Sequence, residues 1–104
     1  MKKEYIINIT FIVEPPAHTK WYAFIEEKFA PYLRENGYGE LLFTRVLSDE
    51  RNPHYTYSLQ IKDSTVEDYQ RFTRDAINEY STIAHRYFGE HVLHHISLLK
   101  IINL

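Results

Sequence analysis

With 104 residues, 44% of them hydrophobic and 25% charged, the chain is long enough for one packed core and too apolar to be disordered. A net charge of -2 argues against nucleic acid or an anionic membrane as partner, and the absence of cysteine removes disulfides, thiolate chemistry and Cys-ligated metals. Lys2-Lys3 and the apolar run to Val13 resemble a leader, but Glu4, Asn8 and Thr10 interrupt the run and Pro15-Pro16 follows it; the reading is a buried first strand of a cytoplasmic protein with no membrane span.

The periodicities run strand, helix, strand, strand, helix, strand. In the first strand, about Glu4 to Val13, Tyr5, Ile7, Ile9, Phe11 and Val13 make an apolar face, while Ile6, Asn8, Thr10 and Ile12 make a mixed one. Pro15-Pro16 stops it and suits a first helical turn. The first helix, about Ala17 to Asn36, repeats Trp21, Ile25, Phe29 and Leu33, with Phe24 and Tyr32 beside them. Pro31 should kink or break it near Glu27, and Gly37 should cap it. The second strand, about Glu40 to Ser48, does not resolve into two faces, and Asp49 to Pro53 reads as a polar turn.

The third strand, about His54 to Lys62, sets Tyr55, Tyr57, Leu59 and Ile61 against His54, Thr56, Ser58, Gln60 and Lys62. Ser64-Thr65-Val66-Glu67 has the form of a capping box and opens a helix reaching Phe88. Its inner stripe is Tyr69, Phe72, Ala76, Tyr80, Ile83 and Tyr87, and Gly89 ends it. In the last strand, about Val92 to Ile102, Lys100 turns the even-numbered residues outward and leaves Leu93, His95, Ser97, Leu99 and Ile101 for the helices.

This order is that of a ferredoxin-like βαββαβ domain over residues 1–104, an α+β fold. It predicts a four-stranded antiparallel sheet, order 4-1-3-2, with both helices on one face. The other face is open and shows Ile6, Asn8, Thr10, Ile12, Thr56, Ser58, Gln60, His94, Ile96 and Leu98. It is neither charged like a solvated face nor apolar like a core. Its extent of roughly 400–500 Å² is near the upper end of what a soluble monomer exposes. A second copy closing it would enclose a small polar-lined cavity. The candidate ligand-binding residues are Asn8, Thr10, Ser58, Gln60 and His94, neutral hydrogen-bonding groups around one imidazole. The plainer alternative is that they bond across a filled interface.

Other chemistries find little support. His94 and His95 are adjacent on a strand and point to opposite faces, and His91 lies past Gly89, so no convergent metal set is expected. There is no Gly-rich phosphate loop, nucleophile elbow or dinucleotide fingerprint, and no cofactor is expected. The open face lacks the aromatic and basic residues of an RNA-binding sheet. His18 and Trp21, one turn apart, could flank a pocket mouth; the simpler reading makes Trp21 the anchor of the helix stripe and His18 a surface residue. Tyr55, Tyr57, Tyr69, Tyr80 and Tyr87 read as core packing.

Several pieces in order resemble one family. Val13-Glu14-Pro15 with His18 and Trp21, Thr56-Tyr57-Ser58-Leu59-Gln60, Glu67-Asp68-Tyr69 and Arg86-Tyr87-Phe88-Gly89 are similar to a family of short bacterial proteins, a domain of unknown function common in Bacteroidetes. The resemblance runs end to end. It implies a ferredoxin-like domain that forms a homodimer of the two-sheet α/β barrel sort, and it supplies no activity. Members often carry a His two residues before the proline of the first helix, as some cofactor-free monooxygenase-like barrels do; this chain has Phe29-Ala30-Pro31 there.

The resulting expectation is a non-enzymatic homodimer, itself its main partner, that binds a small molecule on the open face and takes neither nucleic acid nor membrane. A cofactor-free enzyme of the dimeric α/β barrel kind is the first alternative. A regulatory or adaptor module acting through an exposed sheet edge is the second.

Overall fold

The computed structural model describes residues 4–47 and 51–104. Ser48 and part of the expected turn at Asp49 to Pro53 lie outside the described residues. The elements are β1 (Tyr5–Val13), a first helix α1, β2 (Leu41–Val46), β3 (Tyr55–Ser64), a second helix α2 and β4 (Val92–Lys100). The strands form one antiparallel sheet in the order β2-β3-β1-β4, which is the expected 4-1-3-2 counted from the other edge. Ile7, Ile9, Phe11 and Val13 of β1 and Tyr57, Leu59 and Ile61 of β3 are buried under the helices, as their alternation requires.

Helix α1 starts as Pro15–Phe24, widens into a π-helical turn at Ile25–Phe29 and resumes as Ala30–Glu35. The expected break near Glu27 is therefore a widened turn. Pro31 has no N–H for the carbonyl four residues back; in the turn before it the Ala30 N–H donates to Ile25, five residues back, and the ring fits where the regular ladder is already interrupted. Trp21, Ile25, Phe29 and Leu33 are all buried. Gly37 closes the helix at φ 79°: its N–H and that of Tyr38 donate to Arg34 and Leu33 at 3.3 and 3.2 Å, a Schellman ending that glycine enters without strain.

Helix α2 runs Val66–Arg71, a π-helical turn at Phe72–Ala76, then Ile77–Phe88. Its capping box sits one residue later than expected. Thr65 Oγ1 accepts from the Asp68 N–H and Asp68 Oδ2 accepts from the Thr65 N–H, each at 3.0 Å. Ser64 still belongs to β3, and its hydroxyl donates to the Ile61 carbonyl. The inner stripe is also displaced. Phe72, Ala76, Tyr80, Ala84 and Phe88 are buried, Ile83 is half-buried, and Tyr87 is 69% exposed. The π turn holds one extra residue and so moves everything beyond it one position along the 3.6-residue period.

The largest correction concerns β4. It pairs with β1 so that Phe11 faces His94, Ile9 faces Ile96 and Ile7 faces Leu98. Cross-strand partners point to the same side of a sheet, so His94, Ile96 and Leu98 are on the helix side and not on the open face; Ile96 and Leu98 are half-buried there, while His94 remains exposed. Leu93, His95, Ser97 and Leu99 take the open side instead. Lys100 misleads because it stands at the strand's end opposite Tyr5, exposed although its parity is that of the core. Strand β2, whose facing the sequence leaves open, sets Leu41, Phe43 and Arg45 toward the helices and Leu42, Thr44 and Val46 toward the open side.

Candidate functional site

Pairing builds the centre of the open face. Asn8 lies opposite Gln60 and Thr10 opposite Ser58, so these four candidate residues share one patch in the middle of the sheet. Ser58 Oγ donates to Asn8 Oδ1 at 2.7 Å, and Asn8 Nδ2 donates to Thr10 Oγ1 at 3.2 Å. The Gln60 amide has no hydrogen-bond partner among the described residues. The fifth candidate, His94, is not part of the patch. His95, opposite Thr10, supplies the imidazole on this side. An apolar frame surrounds the patch: Ile6 and Ile12 from β1, Leu42 and Val46 from β2, Leu93 and Leu99 from β4. Among the described residues paired in the ladders on this side, none is Asp, Glu, Lys or Arg.

The helix side holds a second constellation. His18 Nε2 lies 2.7 Å from the Tyr57 hydroxyl, and the His18 ring stacks on Tyr55 with centroids 3.7 Å apart and planes 5° from parallel. The Arg45 guanidinium sits 5.0 Å from the centre of the Tyr55 ring, and Tyr22 and Phe43 pack against Tyr57. Burial first, then the Arg45 charge, lowers the pKa of His18, which keeps its imidazole neutral at pH 7. Burial raises the Tyr57 phenol, so it stays protonated. His18 is thus a clamped hydrogen-bonding residue and not a plain surface one. Tyr57 lies 39 positions away from it, so only the fold brings the pair together. Arg45 gave no signal because the two faces of β2 could not be told apart.

Beside this pair, α1 and β2 leave a cleft of about 170 Å³ floored by Ile25, Ala30, Leu41 and Leu59. Tyr22 and Phe43, which pack against Tyr57, also line it, as do Glu26 and Arg34. Trp21 opens into nothing. It is fully buried and donates from Nε1 to the Tyr80 hydroxyl at 3.0 Å. His94 meets the other side of Tyr80 edge-on, with ring centres 5.5 Å apart. Burial, then the neighbouring His95 charge, lowers its pKa. Among the described residues no group of three or more His, Cys, Asp or Glu is placed to hold a metal ion. No described helix is long and apolar enough to cross a membrane.

Fold and pairing define a ferredoxin-like domain with one face of the sheet covered and the other bare. The chain belongs to the family described as domain of unknown function (DUF4286), whose model matches residues 4–102. No curated protein matches the sequence. Among solved structures, an ethyl tert-butyl ether d (ethd) family protein from Bacillus halodurans is similar at TM-score 0.64 and 14% identity, over 94% of this chain and 99% of that one. A dimeric ferredoxin-like protein from an uncultured marine organism is similar at TM-score 0.62 and 14% identity, over 96% of each chain. A protein proposed to be an antibiotic biosynthesis monooxygenase, from Bordetella bronchiseptica, is similar at TM-score 0.55 and 21% identity, over 95% of this chain and 99% of that one. At these identities the likeness is one of fold.

Proposed function

We propose that the chain works as a homodimer that lays its open sheet face against that of a second copy and holds a small polar molecule at the centre of the contact. The observation that carries this reading is the composition of that face. Ile6, Ile12, Leu42, Val46, Leu93 and Leu99 frame a neutral patch of Asn8, Thr10, Ser58 and Gln60. Such a frame excludes water once covered, and an interface of about 800 Å² per partner is of standard size. Asn8, Ser58 and Thr10 already satisfy one another in part, so covering them is affordable. The Gln60 amide and the His95 imidazole are left to meet a ligand. One structural neighbour is itself described as dimeric. Light scattering at tens of micromolar tests the reading. The wild type should give a dimer mass and Ile12→Asp, which plants a charge in the apolar frame, a monomer mass. A monomeric wild type would overturn it.

A second reading rests on the His18–Tyr57 pair. A neutral imidazole bonded to a protonated phenol is a general base beside a general acid, next to the cleft of α1 and β2. That is equipment a cofactor-free enzyme could use; the Bordetella neighbour, alike in fold, is itself described as an antibiotic biosynthesis monooxygenase. Ligand-observed NMR with a panel of small aromatic compounds decides for it if the compounds bind the wild type and Phe43→Ala loses them, and against it if none binds.

A further inference from the structure

We infer that the free edge of β4 is a strand-pairing surface for β4 of a second copy, forming a continuous eight-stranded sheet across a two-fold axis at Ile96. This contact uses a different surface from the face-to-face one proposed above and is the weaker of the two, forming above the tens of micromolar at which the face-to-face dimer assembles. The hydrogen-bond phase of β4 follows from two bonds at its ends. Glu14 N–H donates to the His91 carbonyl and Ile101 N–H to the Glu4 carbonyl, each at 2.9 Å. Both pairs belong to the register that sets Val13 opposite Val92 and Tyr5 opposite Lys100. In an antiparallel ladder a residue turns both backbone groups to the same side, and the sides alternate. The odd-numbered residues of β4 therefore spend their backbone groups on β1. Val92, His94, Ile96, Leu98 and Lys100 turn theirs to the free edge.

β4 is the edge strand on that side, and the usual protections of an edge are missing. It has nine residues, no proline, a regular register with β1, and one formal charge, Lys100, at its very end. The opposite edge is different. Lys62 N–H donates to the Glu40 carbonyl, so β2 turns only Leu41, Phe43 and Arg45 outward along its six residues, and one of the three is charged.

The partner that fits is the strand itself. An antiparallel copy centred on Ile96 pairs Val92 with Lys100 of the second copy and His94 with Leu98, and Ile96 with its own counterpart. All five outward-turned residues then meet outward-turned residues, and a shift of register leaves some of them unpaired. In the same register Leu93 comes opposite Leu99 on the open side, residues 60% and 38% exposed in the single chain. His95 comes opposite Ser97. Each copy thus supplies what the other lacks, as an isologous contact demands.

Two variants and one background test this. The chain has no cysteine, so Ile96→Cys introduces a single thiol on the proposed axis. Directly paired residues there have Cα atoms about 5.5 Å apart, within disulfide range. Air oxidation should link Ile96→Cys into a dimer on a non-reducing gel and leave Ser97→Cys, which is offset from its counterpart, largely unlinked. His94→Pro deletes an N–H that points to the free edge and none that bonds β1, so the domain should keep its far-ultraviolet circular dichroism and Trp21 fluorescence. In the Ile12→Asp background, where the open-face contact is broken, sedimentation at high micromolar concentration should still show dimers, and adding His94→Pro should weaken them at least tenfold. Ile12→Asp staying monomeric at high micromolar concentration and not only at tens of micromolar, with Ile96→Cys linking no faster than Ser97→Cys, would overturn the edge contact and leave the open-face reading standing. Loss of all association by His94→Pro alone, in a well-folded protein, would support the edge and overturn the open face.

Discussion

Replacing Tyr80 by Phe should destabilise the domain by about 1–3 kcal/mol, although it deletes one oxygen atom and changes almost no volume. The reason is the Trp21 indole. Its Nε1–H donates to the Tyr80 hydroxyl at 3.0 Å, and both side chains are essentially inaccessible to water. With the hydroxyl gone the indole keeps its buried donor and no acceptor, and the penalty is that of an unmet polar group rather than of a lost average hydrogen bond. For a domain of this size each kcal/mol moves the melting temperature by about 4–8 °C, so the shift expected is on the order of 4–20 °C. Trp21→Ala, which also empties a large volume beside Phe11, should cost about 3–5 kcal/mol. Guanidinium titrations followed by far-ultraviolet circular dichroism, run on Tyr80→Phe, Trp21→Phe and the double variant, separate the pair from its surroundings. The double variant should lose less than the sum of the singles, by about 0.5–3 kcal/mol, because neither polar group is then left alone. The same burial raises the Tyr80 phenol far above its ordinary 10.0. Above about pH 10 the unfolded chain ionises this tyrosine and the folded one does not, so stability should fall as pH climbs beyond that point, and less so in Tyr80→Phe. A loss under about 0.5 kcal/mol for Tyr80→Phe, or strictly additive singles, would refute the buried pair.

Three other expectations are simpler. Gly39→Ala should be far worse than Gly37→Ala although only Gly37 has a positive φ: a Cβ on Gly39 would run into the Lys62 carbonyl, while one on Gly37 meets open space and pays only the left-handed strain of about 1 kcal/mol. Thermal melts of the two variants check the ranking. His18 should titrate below 6.5 in an NMR pH series, because burial and Arg45 disfavour its charge. The sign follows: stability from this group is complete above the unfolded value and declines as pH drops below about 6.5, where the unfolded chain takes the proton first. His18→Gln should remove its part of that decline and leave the part due to His94, whose pKa is lowered as well.

How much of this was legible beforehand differs from element to element. β1 and β3 were readable because each alternates between an apolar and a mixed face, and a strand buried on one side only has no other stable orientation. The stripe Trp21, Ile25, Phe29 and Leu33 was readable for the same kind of reason, and so was the closing glycine at 37. The order of the elements then left few topologies, and the sheet order followed. Strand β4 resisted because both its faces are apolar: Ile96 and Leu98 on one, Leu93 and Leu99 on the other. Lys100 decided the reading wrongly, since at a strand end a long side chain reaches water from either face. With it went the placement of His94, while Asn8, Thr10, Ser58 and Gln60, carried by the two well-patterned strands, came together as expected. Only the tertiary structure decided the rest. The π turns at Ile25–Phe29 and Phe72–Ala76 shift a helical face by one residue, and nothing in a 3.6-residue period announces them. Trp21 with Tyr80 and His18 with Tyr57 are contacts across 59 and 39 positions, set by how the helices lie on the sheet. Local pattern selects which side of an element is buried; which partners meet there depends on the packing of whole elements, and that is a property of the folded chain alone.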